Sequence, residues 1–156
     1  MSDSAPVSEK LQIIIYSSNR LTRDQVRLAL GKKIAADLPE IQVSEFATYD
    51  AAAKAIEENH YDVGVFDAES VPGGMGLVHQ INDEIKTPPP VLLLVARAAD
   101  VWLATWSNAS AVSAYPIDPT RLPGEVAQVV RDAQAGKQTA LTPELKAPGV
   151  SSRHFD

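Results

Sequence analysis

Tyr61-Asp-Val-Gly-Val-Phe-Asp67-Ala-Glu-Ser-Val-Pro72-Gly-Gly-Met-Gly76-Leu77 reads as a buried strand ending in a carboxylate, then a loop, then the start of a helix. Val63, Val65 and Phe66 favour a pleated, buried backbone, and the run from Pro72 to Gly76 cannot continue it. A carboxylate at the carboxyl end of such a strand stands where open α/β sheets place their ligands.

Outward from this segment, strand and helix signals alternate. Leu11 to Tyr16 carries three consecutive isoleucines, as expected of a strand buried on both faces. Thr22 can cap a helix running to about Ala36, with Val26, Leu28, Leu30 and Ile34 as its apolar positions, and Pro39 ends that region. Ile41 to Phe46 reads as a second strand, and Asp50 is a good cap for a helix over 51–59. After the strand Val63 to Asp67, a helix is expected from about Met75 to Ile85, stopped by Thr87-Pro-Pro-Pro90. Val91 to Val95 is a fourth strand, Asp100 can cap a helix through Trp106, Ala111 to Tyr115 is a short fifth strand, and a last helix runs from Pro119 to about Ala135. Five strand-then-helix units with short links predict a parallel sheet with helices on both faces. The expected organisation is a loose N-terminus over 1–10, one domain over 11–135, and an aperiodic extension over 136–156 that serves as a linker or docking arm.

The 156 residues suffice for one domain with a sizeable core. Hydrophobic content of 45% and charged content of 22% are those of an ordinary globular chain. Without cysteine the chain has no disulfide, thiolate metal site or cysteine nucleophile, a composition compatible with a reducing cytoplasm. Neither a membrane-length apolar run nor a signal-peptide core is present. A net charge of −6 disfavours nucleic acid, whose binding draws on Lys and Arg against phosphates.

The segment ending in Asp67, with Pro72 and Gly76 after it, resembles the phosphoacceptor strand of the receiver domains of bacterial response regulators. The likeness extends over about Leu11 to Asp132 and implies a doubly wound, five-stranded parallel sheet of order 2-1-3-4-5, in the flavodoxin-like plan. Five positions decide the chemistry that it implies. Receivers end the first strand with an acidic pair that holds Mg²⁺; Ser17 and Ser18 stand there. The phosphoacceptor is present as Asp67. The Ser or Thr ending the fourth strand is replaced by Val95, the Lys before a cis-prolyl bond by Tyr115, and the aromatic switch residue by Val112.

These losses fall on one step. Mg²⁺ prefers a shell of hard oxygens that includes one or two carboxylates, and phosphoryl transfer depends on charge neutralisation and positioning. The expectation is therefore a vestigial phosphoacceptor and a chain that acts without phosphorylation. On this reading Asp67 is a strand-end residue accepting backbone N–H groups, as in an Asx turn. Glu69 could add a second carboxylate, although a solvated charge suits its loop position.

Two rival readings stay open. Asp67 could be a working phosphoacceptor. Alternatively, the hydroxyl-rich loop Ser17-Ser18-Asn19-Arg20-Leu21-Thr22, opening onto a helix, could cradle a flavin or nucleotide phosphate. The loop lacks the glycine that close backbone approach would need, and no cofactor is expected.

The favoured function is that of a stand-alone pseudo-receiver, not an enzyme, acting by protein–protein contact as an adaptor or accessory subunit. The chain resembles the atypical orphan response regulators of high-GC Gram-positive bacteria. That likeness implies docking on larger assemblies, the respiratory NADH–quinone oxidoreductase among them. It also implies a cytoplasmic protein, held at the inner face of the membrane only through such a partner. Trp102 and Trp106, four apart on one helix face, are either core residues or interface anchors; with Phe155 near the end of the extension they are the candidate interface residues. His60, His79 and His154 show no metal-ligand spacing.

Overall fold

The computed structural model describes residues 10–70, 74–97 and 109–136. Within them the elements are β1 (Leu11–Tyr16), α1 (Arg20–Leu30), β2 (Ile41–Phe46), α2 (Tyr49–Glu58), β3 (Val63–Asp67), α3 (Gly74–Glu84), β4 (Val91–Val95), β5 (Ala111–Ala114) and α4 (Leu122–Gln134), with strand and helix alternating as far as β4. The five strands form one sheet of order β2-β1-β3-β4-β5, parallel at every junction. This is the doubly wound receiver architecture expected from the sequence.

Successive strand side chains point to opposite faces, so a strand buried on both sides must be apolar at every position. Ile13, Ile15, Val63, Val65, Leu92 and Leu94 pack on the face covered by α1 and α4. Ile14, Tyr16, Phe66, Val91 and Leu93 pack on the face covered by α2 and α3. The three-isoleucine run and the Val-Leu-Leu-Leu-Val run supply both faces at once. Gly64 faces the second layer, where a Cβ would come within 2.7 Å of the Phe66 ring and 3.3 Å of Ile14.

The strand limits agree closely with the sequence pattern, and the helix limits less so. The first helix was expected from Thr22 to about Ala36 but runs from Arg20 to Leu30. Asn19 provides the cap: its backbone is extended and its side chain accepts the Leu21 N–H at 2.9 Å. Gly31, at φ +66°, ends the helix, and such a backbone favours glycine. Ile34 and Leu38 are nevertheless buried, as part of the irregular link to β2. In α2 the cap is Thr48, which accepts the Ala51 N–H, while Asp50 lies in the first turn, where its charge favours the helix N-terminus. The fifth strand stops at Ala114; Tyr115 still donates its N–H to the Val95 carbonyl before the cis Tyr115–Pro116 bond. A turn over 119–121 precedes α4, so that helix begins three residues later than expected. The helix expected between Asp100 and Trp106, and the extension beyond Gly136, lie outside the described residues.

This winding brings the carboxyl ends of β1, β3, β4 and β5 to one edge of the sheet. Ser17, Asp67, Ala96 and Tyr115 are each within one residue of such an end.

Candidate functional site

Asp67 closes β3 and is only 4% exposed, so its carboxylate needs partners from the protein. It has four. The Ser17 hydroxyl donates to Oδ2 at 2.7 Å and the Ser70 hydroxyl to the same oxygen at 3.1 Å. The Tyr115 hydroxyl donates to Oδ1 at 2.8 Å, and the Glu69 backbone N–H to that oxygen at 2.9 Å. An ionised carboxylate offers about four lone-pair sites. Each is matched here by a donor.

Local sequence explains how each donor arrives. Ser17 directly follows β1, is fully buried, and accepts the Asn19 N–H at 3.0 Å, which ties it to the cap of α1. Arg23, one turn into α1, donates to the Ser17 carbonyl at 2.7 Å and pairs with Glu45 at 3.4 Å. Ser70 lies three residues past Asp67 and accepts the Ser18 N–H at 2.8 Å. The two serines approach each other to 3.4 Å, so the β1 and β3 loops are joined through hydroxyls. The Ser18 side chain itself is exposed; only its backbone takes part. Tyr115 comes from two strands away, its phenol reaching across the end of β4.

The electrostatics follow from burial beside a carboxylate. The Tyr115 phenol is pushed well above the ordinary tyrosine range, first by burial and then by its hydrogen bond to Asp67. Tyr16 is raised too, by burial and then by the Asp67 charge. Tyr115 is therefore a neutral, permanent donor at physiological pH.

The donor set does not fit Mg²⁺. The ion would need hard oxygens with free lone pairs, commonly those of one or two carboxylates; the receiver resemblance implies an acidic pair besides the phosphoacceptor. Asp67 is the one carboxylate in the cage, and its oxygens already accept from neutral groups. The other acidic side chain nearby, Glu69, is exposed and accepts the Ala96 N–H at 3.2 Å through Oε2. No group of three or more His, Asp or Glu side chains able to hold a metal occurs among the described residues.

Of the residues singled out in the sequence, the fold brings Ser17, Asp67 and Tyr115 into direct contact. Val95 is fully buried, opposite Ala114, and has no hydroxyl to offer. Val112 is partly buried against the α2/α3 face. Trp102, Trp106, Phe155 and His154 lie outside the described residues. His60 and His79 are on the surface beside Asp62 and Asp83. Sequence reading missed Ser70 altogether and missed that Tyr115 bonds to Asp67. The second was accessible: a residue matching the receiver lysine reaches the phosphoacceptor, and a phenol there would reach it also. Of the loop offered as a flavin or nucleotide cradle, the Ser17 hydroxyl is engaged with Asp67, and the Ser18, Asn19 and Leu21 N–H groups already donate to Ser70, Ser17 and Asn19. Among the described residues no helix is long and apolar enough to cross a membrane.

No protein-family model matches the chain. It is 39% identical over 125 residues to a response regulatory protein found in two Mycobacterium tuberculosis strains, a match covering 80% of this chain and 94% of the relative. Among solved structures it is similar to a CheY-like receiver domain protein from Methanospirillum hungatei, at TM-score 0.67 and 15% identity, covering 81% of this chain and 98% of the other. A Francisella response regulator receiver domain gives the same TM-score and identity, with coverage of 80% and 99%. Those distant structures speak to the fold, and the mycobacterial relative to the family. The chain belongs to the response regulator receiver (CheY-like) family.

Proposed function

We propose that this chain is a pseudo-receiver, which signals or assembles by binding another protein and does so without phosphorylation of Asp67. The observation that carries this reading is the saturation of the Asp67 carboxylate by Ser17, Ser70, Tyr115 and the Glu69 N–H. A phosphoacceptor oxygen must be free to approach phosphorus, and the developing charge must be neutralised nearby. In this cage every lone pair is engaged, and the donors are neutral groups in place of a cation.

With phosphorylation removed as input, the output is binding itself. The chain then acts as an adaptor or as an accessory subunit of a larger complex. A multisubunit enzyme is the partner class that the resemblance to atypical orphan response regulators implies, and the respiratory NADH–quinone oxidoreductase is the first to test.

The experiment is quantitative affinity capture from the native cell, with wild-type and Asp67→Asn bait compared under matched conditions. Recovery of one multisubunit enzyme at constant stoichiometry by both baits supports the reading. Capture that requires a phosphorylatable Asp67, with Asp67→Asn folded but empty, would overturn it.

A further inference from the structure

Leu21 and Leu28 are exposed large hydrophobics, at 63% and 80% of their surface. They are seven residues apart on α1 and so share one stripe of the helix. Beside Leu28 lies an apolar groove of about 500 Å³, lined by Gln25, Leu28 and Ala29 of α1 and by Pro116, Ile117 and Pro119 of the β5–α4 link. Its remaining wall is the side of Tyr115, the residue whose hydroxyl holds Asp67. Scattered apolar residues on a surface need no explanation, but an apolar groove walled by a leucine exposed over 80% of its surface calls for an occupant.

We propose that this groove is covered by the chain's own segment 137–156, through Leu141 and Leu145. The topology places the start of that segment within reach. Helices α1 and α4 both follow strands of one parallel sheet, pack on the same face, and end at the same edge of the molecule. Asp37, seven residues past the end of α1 in the link to β2, pairs with Arg131 in the last turn of α4 at 2.7 Å, which ties that link to the end of α4. Gly136 closes α4 at φ +76°, a backbone that turns the chain off the helix axis. Leu141 and Leu145 follow Gly136 by five and nine residues, a reach of roughly 16 to 30 Å at about 3.3 Å per residue. The whole 13-residue helix α4 spans only about 20 Å. Glu144, between the two leucines, is opposite in sign to Lys32 and Lys33, both exposed just beyond α1.

This inference does not rest on the absence of phosphorylation. It assigns the groove an occupant from the same chain, so that a partner using this face must first displace it.

The chain has no cysteine, so a Lys146→Cys variant takes a nitroxide label at one position. In ¹⁵N-labelled full-length protein, the oxidised label should strongly broaden the amide signals of Gln25, Leu28 and Ile117 relative to the reduced label. The broadening should be independent of dilution and vanish when Leu141→Glu and Leu145→Glu are added, with the remaining spectrum unchanged. Those substitutions lie outside the described residues that form the sheet and its helices, so the spectrum of 10–136 serves as the control. Absence of broadening overturns the proposal. So does broadening that appears only when labelled and ¹⁵N chains are mixed, which would make a second copy the occupant.

Discussion

The Tyr115 hydroxyl lies 2.8 Å from Oδ1 of Asp67, at the position where a receiver's lysine would stand. A cation there would balance the carboxylate and a later phosphoryl group; a phenol can only satisfy one lone pair. The contact links the end of β3 to the end of β5 across β4. Its energetic signature should be structural. Tyr115→Phe leaves a buried carboxylate short of one donor, an expected loss of about 1–3 kcal/mol. In a domain of this size each kcal/mol lowers Tm by roughly 2–4 °C. Calorimetry of the variant checks this; an unchanged Tm would mean that water replaces the phenol at no cost.

The raised phenol makes stability depend on alkaline pH with a defined sign. In the unfolded chain Tyr115 loses its proton near the ordinary tyrosine value of 10.0, while in the folded chain it holds the proton to higher pH. Its contribution is therefore complete below about pH 10 and is lost progressively as pH rises above that value. Tyr16 and Tyr49 are raised as well and add to the same slope. Urea midpoints measured from pH 8 to 11 should fall at the upper end, and Tyr115→Phe should flatten that fall.

Ser17 and Tyr115 hold different oxygens of one carboxylate, so their losses should not add. Ser17→Ala removes a charge-assisted bond at 2.7 Å together with the acceptor for the Asn19 N–H, and should cost about 1.5–3 kcal/mol. Once either donor is gone, the remaining ones carry more of the charge. The double variant should exceed the sum of the singles by about 0.5 kcal/mol or more. Denaturant titration of the four-member cycle measures this directly, and strict additivity would mean that the two hydroxyls act independently.

Gly64→Ala tests the packing of the central strand beneath the site. The added methyl would press on the Phe66 ring, which is fully buried and edge-on to Tyr16 at a centroid distance of 6.0 Å. Overpacking of this kind costs about 1–3 kcal/mol. Gly76→Ala, where a Cβ meets nothing within 4 Å, is the matched control and should leave Tm nearly unchanged or slightly raised.

Much of this fold was legible because its strands are buried on both faces. A run such as Ile13-Ile14-Ile15 or Leu92-Leu93-Leu94 has few other places to go, and both were assigned correctly. Helix starts were harder to read, since Ser17, Ser18, Asn19 and Thr22 can all cap and only backbone geometry selects Asn19. The end of α1 carried a readable signal in Gly31, which the apolar spacing from Leu30 to Ile34 obscured. At the site, local sequence placed Asp67 at its strand end, but the identity of its partners depends on strand order. Ser70 is recognisable only once the β3 loop folds back on Ser18, whereas the phenol of Tyr115 was within reach of the receiver resemblance, which sets its position beside Asp67.

The most direct measurement is exposure of the purified full-length chain to acetyl phosphate and to phosphoramidate with Mg²⁺, followed by intact-mass analysis beside a conventional receiver. A carboxylate saturated by Ser17, Ser70, Tyr115 and the Glu69 N–H should gain no phosphoryl group while the control is labelled. Stoichiometric labelling that disappears in Asp67→Asn would contradict it, and would show that the hydroxyl cage opens to admit the donor.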